Sequence, residues 1–481
     1  MNPIDAIVAY FSPEAGVRRA QMRIALDQVR AYDAGKVGRR TAGWQTSSSS
    51  ANVEIVQALE RVRNRSRDMV RNNEYATRAI DTLTANTVGT GITVKMGALQ
   101  KVWNRWIDYC DADGQLDFYG LQELAARTRF EAGEVLIRRR LRTVDDGFEV
   151  PFQLQVLEPD YLVNKFETLA NGNVVIAGIE FDLVGRRVAY HLYRSHPGET
   201  GTFMRNGMET VRVPASEILH LYRKKRPQQV RGMPQLAVSM MRMRDLADYE
   251  DAELVRKKIE ACFSVFVRTE NDARALGSIE SNTPDRRIEK IGPGMINYVK
   301  GAEEITFANP QANGAYGDYT RTQLHAIAVG TGCTYEQLTG DLSQVNFSSM
   351  RAGRMEFNNL IDQEQWLTFI PMVMKGTVAW FKDVAMLNGF PQARDVDAKY
   401  TPPKRQYIDP VKEVAATKEM LGAAMMSHSE ALRERGYDPE EVWNEIAEEA
   451  KVMVRLGINP DVTVSQKLQQ LLLDPPASSK H

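Results

Sequence analysis

From Asn52 onward, apolar residues return at helical intervals: Val56, Leu59, Val62, Met69, Val70, Ala79, Ile80 and Leu83. This rhythm predicts helix, with a break near Asn72–Asn73 and a stop at Gly89 and Gly91. Arg61, Arg63, Arg65, Arg67 and Arg71 fall opposite the apolar positions and predict a solvated or intersubunit face, with a nucleic-acid site as the alternative. Residues 100–143 predict two more helices. The pattern then changes. Over 150–222, FQLQVLEPDYL, NVVIAGIEFD, RVAYHLYR and EILHLYR are short β-branched and aromatic runs, with turns at Asn171–Gly172 and Gly185–Arg186. A β-rich unit packed on the preceding helices is expected there.

Residues 234–263 return to helix. Pro234 suits its first turn, and Leu236, Met240, Met243, Leu246, Leu254 and Cys262 supply an apolar stripe. Asp245, Asp248 and Asp251 recur every third residue and so share another face. Arg244–Asp248 and Glu253–Lys257 are spaced to pair across one turn. SVFVR at 264–268 and the glycine-punctuated stretch 292–310 predict a small α/β insert. Helix resumes at 316–331 and again from Ser348, where Pro371 should kink or break it. Beyond TPPK at 401–404, Asp409–Pro410 and Asp438–Pro439 each place an N-cap Asp before a Pro, with Gly436 and Gly457 as stops. Residues 1–50 form an arm, with Lys36, Arg39 and Arg40 among glycines and a serine run at 47–50.

Composition narrows the function classes. The 481 residues suggest about three structural units. Apolar residues reach 43%, ample for a core. Lys and Arg total 61 against 62 acidic residues, so tight non-specific binding to nucleic acid, which feeds on neutralised phosphates, is not expected. Cys110, Cys262 and Cys333 have no CxxC spacing and predict free thiols in a reducing compartment. The N-terminal apolar run is cut by Asp5 and follows no basic region, which argues against a signal peptide. No apolar run nears the roughly 18 residues of a membrane span.

Motifs for chemistry are missing. The sequence holds no HExxH, no P-loop, no GxSxG and no zinc spacing. Its histidines, at 191, 196, 220, 325, 428 and 481, are scattered. Asp111, Asp113 and Gly114 have the composition of a calcium loop, but aligning Gly114 puts Tyr109 in the first ligand position and Gly120 in the last, so a polar turn is expected. No catalytic residue, metal ligand or cofactor is predicted. One stretch stands out: TGDLSQVNFSSMRAG, residues 339–353. No base neighbours Ser343 or Ser348, and its glycines are too few to wrap a phosphate chain. Two readings stay open for it: a helix N-terminus capped by Ser348, or a loop that touches a partner without reacting.

Five blocks resemble the portal proteins of tailed bacteriophages, specifically the lambda-like family: RNRSRDMVRNNEYATRAIDTL, WNRWIDYCDADGQLDFYGLQELAART, RVPASEILHLYRKKRPQQVRGMPQL, YEDAELVRKKIEACF and LTGDLSQVNFSSMRAGRMEF. They run in order from about residue 50 to 385, and DPEEVWNEIAEEA near the C-terminus also fits. The resemblance implies an α+β portal fold, with an α/β wing and clip and a helical stem and crown. It implies a ring subunit, usually of twelve copies, at one capsid vertex, in the virion and in host cytoplasm during assembly. Laid onto the sequence, that order gives an arm 1–50, wing 51–233, first stem helix 234–263 and clip 264–315. A second stem helix 316–337, tunnel loop 338–347, long wing helix and connection 348–404, and crown and tail 405–481 follow. The implied partners are further copies of the chain, duplex DNA read without sequence preference, the terminase large subunit, head-completion and adaptor proteins, and capsid and scaffold proteins. No membrane is implied.

On this reading Gly340, Asp341, Ser343, Gln344, Asn346 and Ser348 are candidate DNA contacts of the tunnel loop. Asp245, Asp248 and Asp251 are candidates for a phosphate-repelling channel wall. Arginines at 61–71 and acids at 440–449 give patches of opposite sign, as head-to-tail rings require. A gene-transfer-agent portal, a soluble enzyme with an unrecognised site, and a nucleic-acid module built on the basic arm are the alternatives.

Overall fold

The computed structural model describes residues 47–199, 209–261, 316–343, 345–403 and 410–457, with short pieces before residue 47. The chain divides into two units, Met1–Val53 and Glu54–His481. In the first, Ser47, Ser48 and Ser50 are exposed, and Ser47 Oγ donates to half-buried Ser49 Oγ at 2.7 Å. Most of the arm and the expected clip, 264–315, lie outside the described residues, as do Cys262 and Asp409.

The expected broken helix comes next, its first residues in the first unit and the rest in the second. α1 (Ala51–Asn72) stops where Asn73 becomes the N-cap of α2 (Glu74–Thr87), its side chain accepting the Ala76 N–H at 3.0 Å. The five arginines of α1 do not share one fate. Arg61, Arg65 and Arg71 are exposed, whereas Arg63 is buried and Arg67 half-buried. The arginines spread around the helix, so part of the series has to turn inward.

After β1 (Thr93–Lys95) come α3 (Gln100–Ile107) and α4 (Phe118–Ala132). Trp103 and Trp106 of α3 are fully buried, their rings 5.0 Å apart, and Trp106 stacks on Phe152 at 4.8 Å. Asp111 closes the polar turn between the two helices. Its carboxylate accepts the amides of Asp113, Gln115 and Leu116, each at 3.0 Å. That is an Asx-type turn, as the sequence reading expected.

Helix does not reach residue 143. α4 ends at Gly133, and β2 (Glu134–Leu141) follows at once. Its Val-Leu-Ile run is buried on both faces, which hides the alternation that marks a half-exposed strand. β2 lies between β3 (Phe152–Leu157) and, further along the chain, β9 (Ile218–Tyr222), antiparallel to both. Between them runs a five-stranded meander: β4 (Glu167–Thr168), β5 (Val174–Ile176), β6 (Ile179–Phe181), β7 (Arg187–Tyr193) and β8 (Thr210–Pro214). The turns at Gly172 and Gly185 stand where expected.

A short 3-10 turn, Gln235–Val238, precedes α5 (Met240–Ala261), so the long helix starts later than the pattern suggested. Leu236, Met240, Met243 and Leu246 are buried, but Leu254 is exposed, so the apolar stripe covers only the first half. α6 (Tyr316–Thr331) packs against α5 through Leu324, Ile327 and Ala328, in a cluster that also takes in Leu83, Phe357 and Ile361. α6 does not run on to 337; a separate short helix, α7 (Tyr335–Thr339), follows.

α8 (Phe347–Glu364) continues into a π-helical stretch, Gln365–Met374, and then α9 (Lys375–Leu387). Pro371 neither breaks nor ends this rod. Proline lacks an N–H and crowds the carbonyl four residues back; a wider turn relieves both. At the exit of the stretch, the Lys375 N–H bonds the Ile370 carbonyl, five residues back. β10 (Lys399–Thr401) pairs with β1. The C-terminal part is α10 (Pro410–Gly422), α11 (His428–Arg433) and α12 (Pro439–Arg455), the last capped by Asp438 as expected.

Candidate functional site

The loop between α7 and α8 is held by its own polar groups. Gly340 ends α7 in a left-handed conformation, φ +74°. Asp341 anchors the turn: one oxygen accepts the Ser343 N–H at 2.9 Å, and the other lies 3.3 Å from Tyr335 Oη and 3.5 Å from Arg321 of α6. The Ser343 hydrogen bonds, with Tyr335 and Arg321 behind them, hold the Asp341 carboxyl below the usual carboxylate range. Asn346 is the N-cap of α8, accepting the Ser349 N–H at 2.8 Å. Ser348 is therefore not the cap. It sits exposed in the first turn, and Ser343 is exposed at the tip. Gln344 lies outside the described residues. Leu342 is also exposed at the tip, an apolar contact the sequence reading did not single out. Of the five described candidates, Gly340, Asp341 and Asn346 shape the loop, Ser343 is exposed but bonded to Asp341, and Ser348 is exposed in the first turn of α8.

Asp245, Asp248 and Asp251 all project into solvent from α5, on the side away from buried Met243 and Leu246. Arg244 lies 3.8 Å from Asp248, the expected helical pair. Glu253 pairs with Arg256 rather than with Lys257.

A buried ionic cluster, unforeseen from sequence, joins the start of β2 to the residues leading into α5. Glu134 has no exposed surface. Its carboxylate receives His220 Nε2 at 3.0 Å, Arg231 Nε at 2.8 Å and the Gly232 N–H at 2.8 Å, with Arg63 Nη1 3.7 Å away. Burial alone would raise the Glu134 pKa; the Arg231 charge and the His220 hydrogen bond outweigh it and hold the group well below its ordinary value. Burial pushes His220 down to about 4, with Glu134 only partly offsetting. A neutral imidazole donating Nε2–H to Glu134 accounts for both. Its Nδ1 is buried without a hydrogen-bond partner, as an unprotonated nitrogen there would be.

Beside this cluster, Glu158, Asp160 and His196 bring three metal-type ligand atoms within 4.8 Å of one another. Both carboxylates are already bound to Arg67, at 2.7 and 2.6 Å, and Arg63 lies 3.5 Å from Asp160. Two guanidinium groups against two carboxylates leave no net negative charge to draw a metal ion. His196 is nearly forty residues from its partners in sequence, so spacing gave no signal of the grouping. Cys110 and Cys333 are buried free thiols; burial raises both, Cys333 to about 11, which keeps them unreactive.

Residues 37–365 match the family described as phage portal protein, lambda family. The chain is similar to the probable portal protein of Halomonas phage phiHAP-1, at 28% identity over 466 residues covering 90% of this chain and 88% of that protein. It is similar to portal protein B of Escherichia phage lambda, at 20% identity over 483 residues covering 88% of this chain and 89% of that protein. A solved chain from the neck of an empty GTA particle aligns at a TM-score of 0.42 and 14% identity, over 82% of this chain and 96% of that one.

Proposed function

The chain belongs to the lambda family of phage portal proteins, and on that premise we propose that its copies close into a ring through which duplex DNA enters a capsid and later leaves it. Membership makes it a structural component of the virion rather than an enzyme. The observation that carries the reading is this family match, in register over most of the chain and supported by full-length relatives.

In this reading α5 and α6 are the stem, 264–315 the clip, 338–347 the tunnel loop, 51–233 with α8 and α9 the wing, and 405–481 the crown and tail. Twelve copies would make the ring. The terminase large subunit, head-completion and adaptor proteins, and capsid and scaffold proteins would dock on it. The channel wall must let phosphates pass without holding them. Exposed Asp245, Asp248 and Asp251 suit that task, since carboxylates repel phosphate within the ~8 Å over which charges act at physiological salt. The tunnel loop and the first turn of α8 offer the exposed serines Ser343 and Ser348, which can bond sugar or phosphate without reading sequence. Contacts repeated around a ring multiply, so each has to be weak.

Replacing Asp245, Asp248 and Asp251 together by lysine tests the wall. Rings should still form, while the fraction of DNA-filled heads in a packaging assay falls at least about tenfold. Wild-type filling by that variant would remove the acidic wall from the account.

A further inference from the structure

The end of β2 carries Arg138, Arg139 and Arg140, with Arg142 just beyond. Side chains alternate along a strand, so Arg138 and Arg140 share one face. Arg142 extends the same ladder, its N–H donating to the Pro151 carbonyl at 2.9 Å. Arg138 and Arg140 stand opposite Gln155 and Gln153 of β3, which bring no charge. Arg142 Nε donates to Gln153 and lies near Asp146. All three are half-buried, and among the described residues none of the three forms an ion pair. Arg138 Nε is out of water and has no acceptor. Burial, and then the charge of Arg140, pull the Arg138 pKa down, with Glu217 offsetting part of this. The row repels itself, is partly desolvated, and is left without carboxylates by its own sheet.

A matching surface exists elsewhere on the chain. Glu441, Glu445 and Glu449 lie at four-residue steps along one face of α12, and all are exposed. Among the described residues none of them forms an ion pair, whereas Glu440 bonds Lys95 at 2.6 Å and Glu448 bonds Lys451 at 2.7 Å. Every second strand residue advances about 6.6–6.8 Å. Every fourth helix residue advances about 6 Å. Long arginine side chains absorb a difference of that size over two steps.

We propose that the Arg138–Arg140–Arg142 row docks on the Glu441–Glu445–Glu449 face of a second copy of this chain. The proposal rests on the ring reading and names the polar part of its head-to-tail contact. Such a contact needs two different complementary surfaces on each copy, and these two meet that need. Arginine forks suit carboxylates, since two parallel N–H groups can bind both oxygens of one partner. The arginines of α1, which sequence alone offered for this role, are poorer candidates, because Arg63 and Arg67 are already committed inside the unit.

The test compares four full-length proteins by native mass spectrometry and negative-stain microscopy. They are wild type, Arg138→Glu/Arg140→Glu/Arg142→Glu, Glu441→Arg/Glu445→Arg/Glu449→Arg, and the sixfold combination. Each triple should cut the ring fraction at least about tenfold, and the combination should restore it. Circular dichroism checks that each variant folds. Should a triple not fold, mixing Arg140→Cys with Glu445→Cys copies supplies the readout, and a disulfide-linked pair is expected on oxidation. Rings from both triples, or no cross-link between the two cysteine variants, would overturn this contact and leave the ring reading standing. A wild type that stays solitary would overturn the ring reading and the contact with it. Normal rings from the arginine triple that no longer retain duplex DNA would assign the row to nucleic acid and also overturn the proposal.

Discussion

Glu134 and His220 show how residue-level chemistry holds the β3–β2–β9 sheet to the approach of α5. The carboxylate is fully buried and meets His220, Arg231 and Gly232 directly, which makes its burial tolerable. The pair also sets a pH response. His220 has a folded pKa of about 4 against an ordinary 6.5, so the folded state binds fewer protons than the unfolded state across that window. Stability is full above about pH 6.5 and falls as pH drops toward 4, by on the order of 3 kcal/mol for this group. The Glu134 pKa is depressed, so its contribution persists through the same window and is lost only in stronger acid. Thermal unfolding of wild type and His220→Gln at pH 7, 5.5 and 4.5 checks this. Wild type should lose more stability than the variant on acidification, and parallel losses would contradict it. None of this was legible in the sequence. Glu134, His220 and Arg231 are spread over nearly a hundred residues; the β2–β9 register brings the first two together, and the segment after β9 brings Arg231.

At the scale of elements, sequence and structure agree where a local signal exists. Asn73 stands at the expected break, Asp438 caps the helix it was expected to cap, and the 316–331 helix stands where its pattern put it. They part where tertiary context decides. The Val-Leu-Ile run of β2 lies under cover on both sides and reads equally well as buried helix. The π-helical stretch has no pattern of its own; it is what a helix does when Pro371 falls within a segment whose Phe369, Ile370, Val373 and Met374 must stay buried. The α4–β2 junction makes a sharp prediction. Gly133 sits at φ +93°, and a Cβ there would come within 2.4 Å of the Met233 backbone. Gly232 faces it just as closely, a Cβ reaching 2.1 Å from the Gly133 carbonyl oxygen. Backbone cannot step aside as a side chain can. Gly133→Ala should therefore cost at least about 3 kcal/mol, read as a lower urea midpoint or loss of soluble protein. A midpoint equal to wild type would show that the junction yields.

For the whole molecule, the five sequence blocks carried the family better than periodicity did. The candidate loop was legible as a loop, but the division of labour within it was not. Asp341 and Asn346 look like ligand-facing polar groups in a string of letters, and only the geometry shows them spent on Ser343 and Ser349. The acidic face of α5 was readable, because a three-residue repeat fixes a helix face without knowledge of the fold. On the ring reading proposed above, assembly unites these features: the exposed acids, the exposed loop serines and the unneutralised arginine row would gain a purpose when copies surround a bore. Negative-stain or cryo-electron microscopy of the purified full-length chain examines this most directly. The account predicts closed rings with a central hole wide enough for duplex DNA, and single particles without a hole at every concentration tried would contradict it.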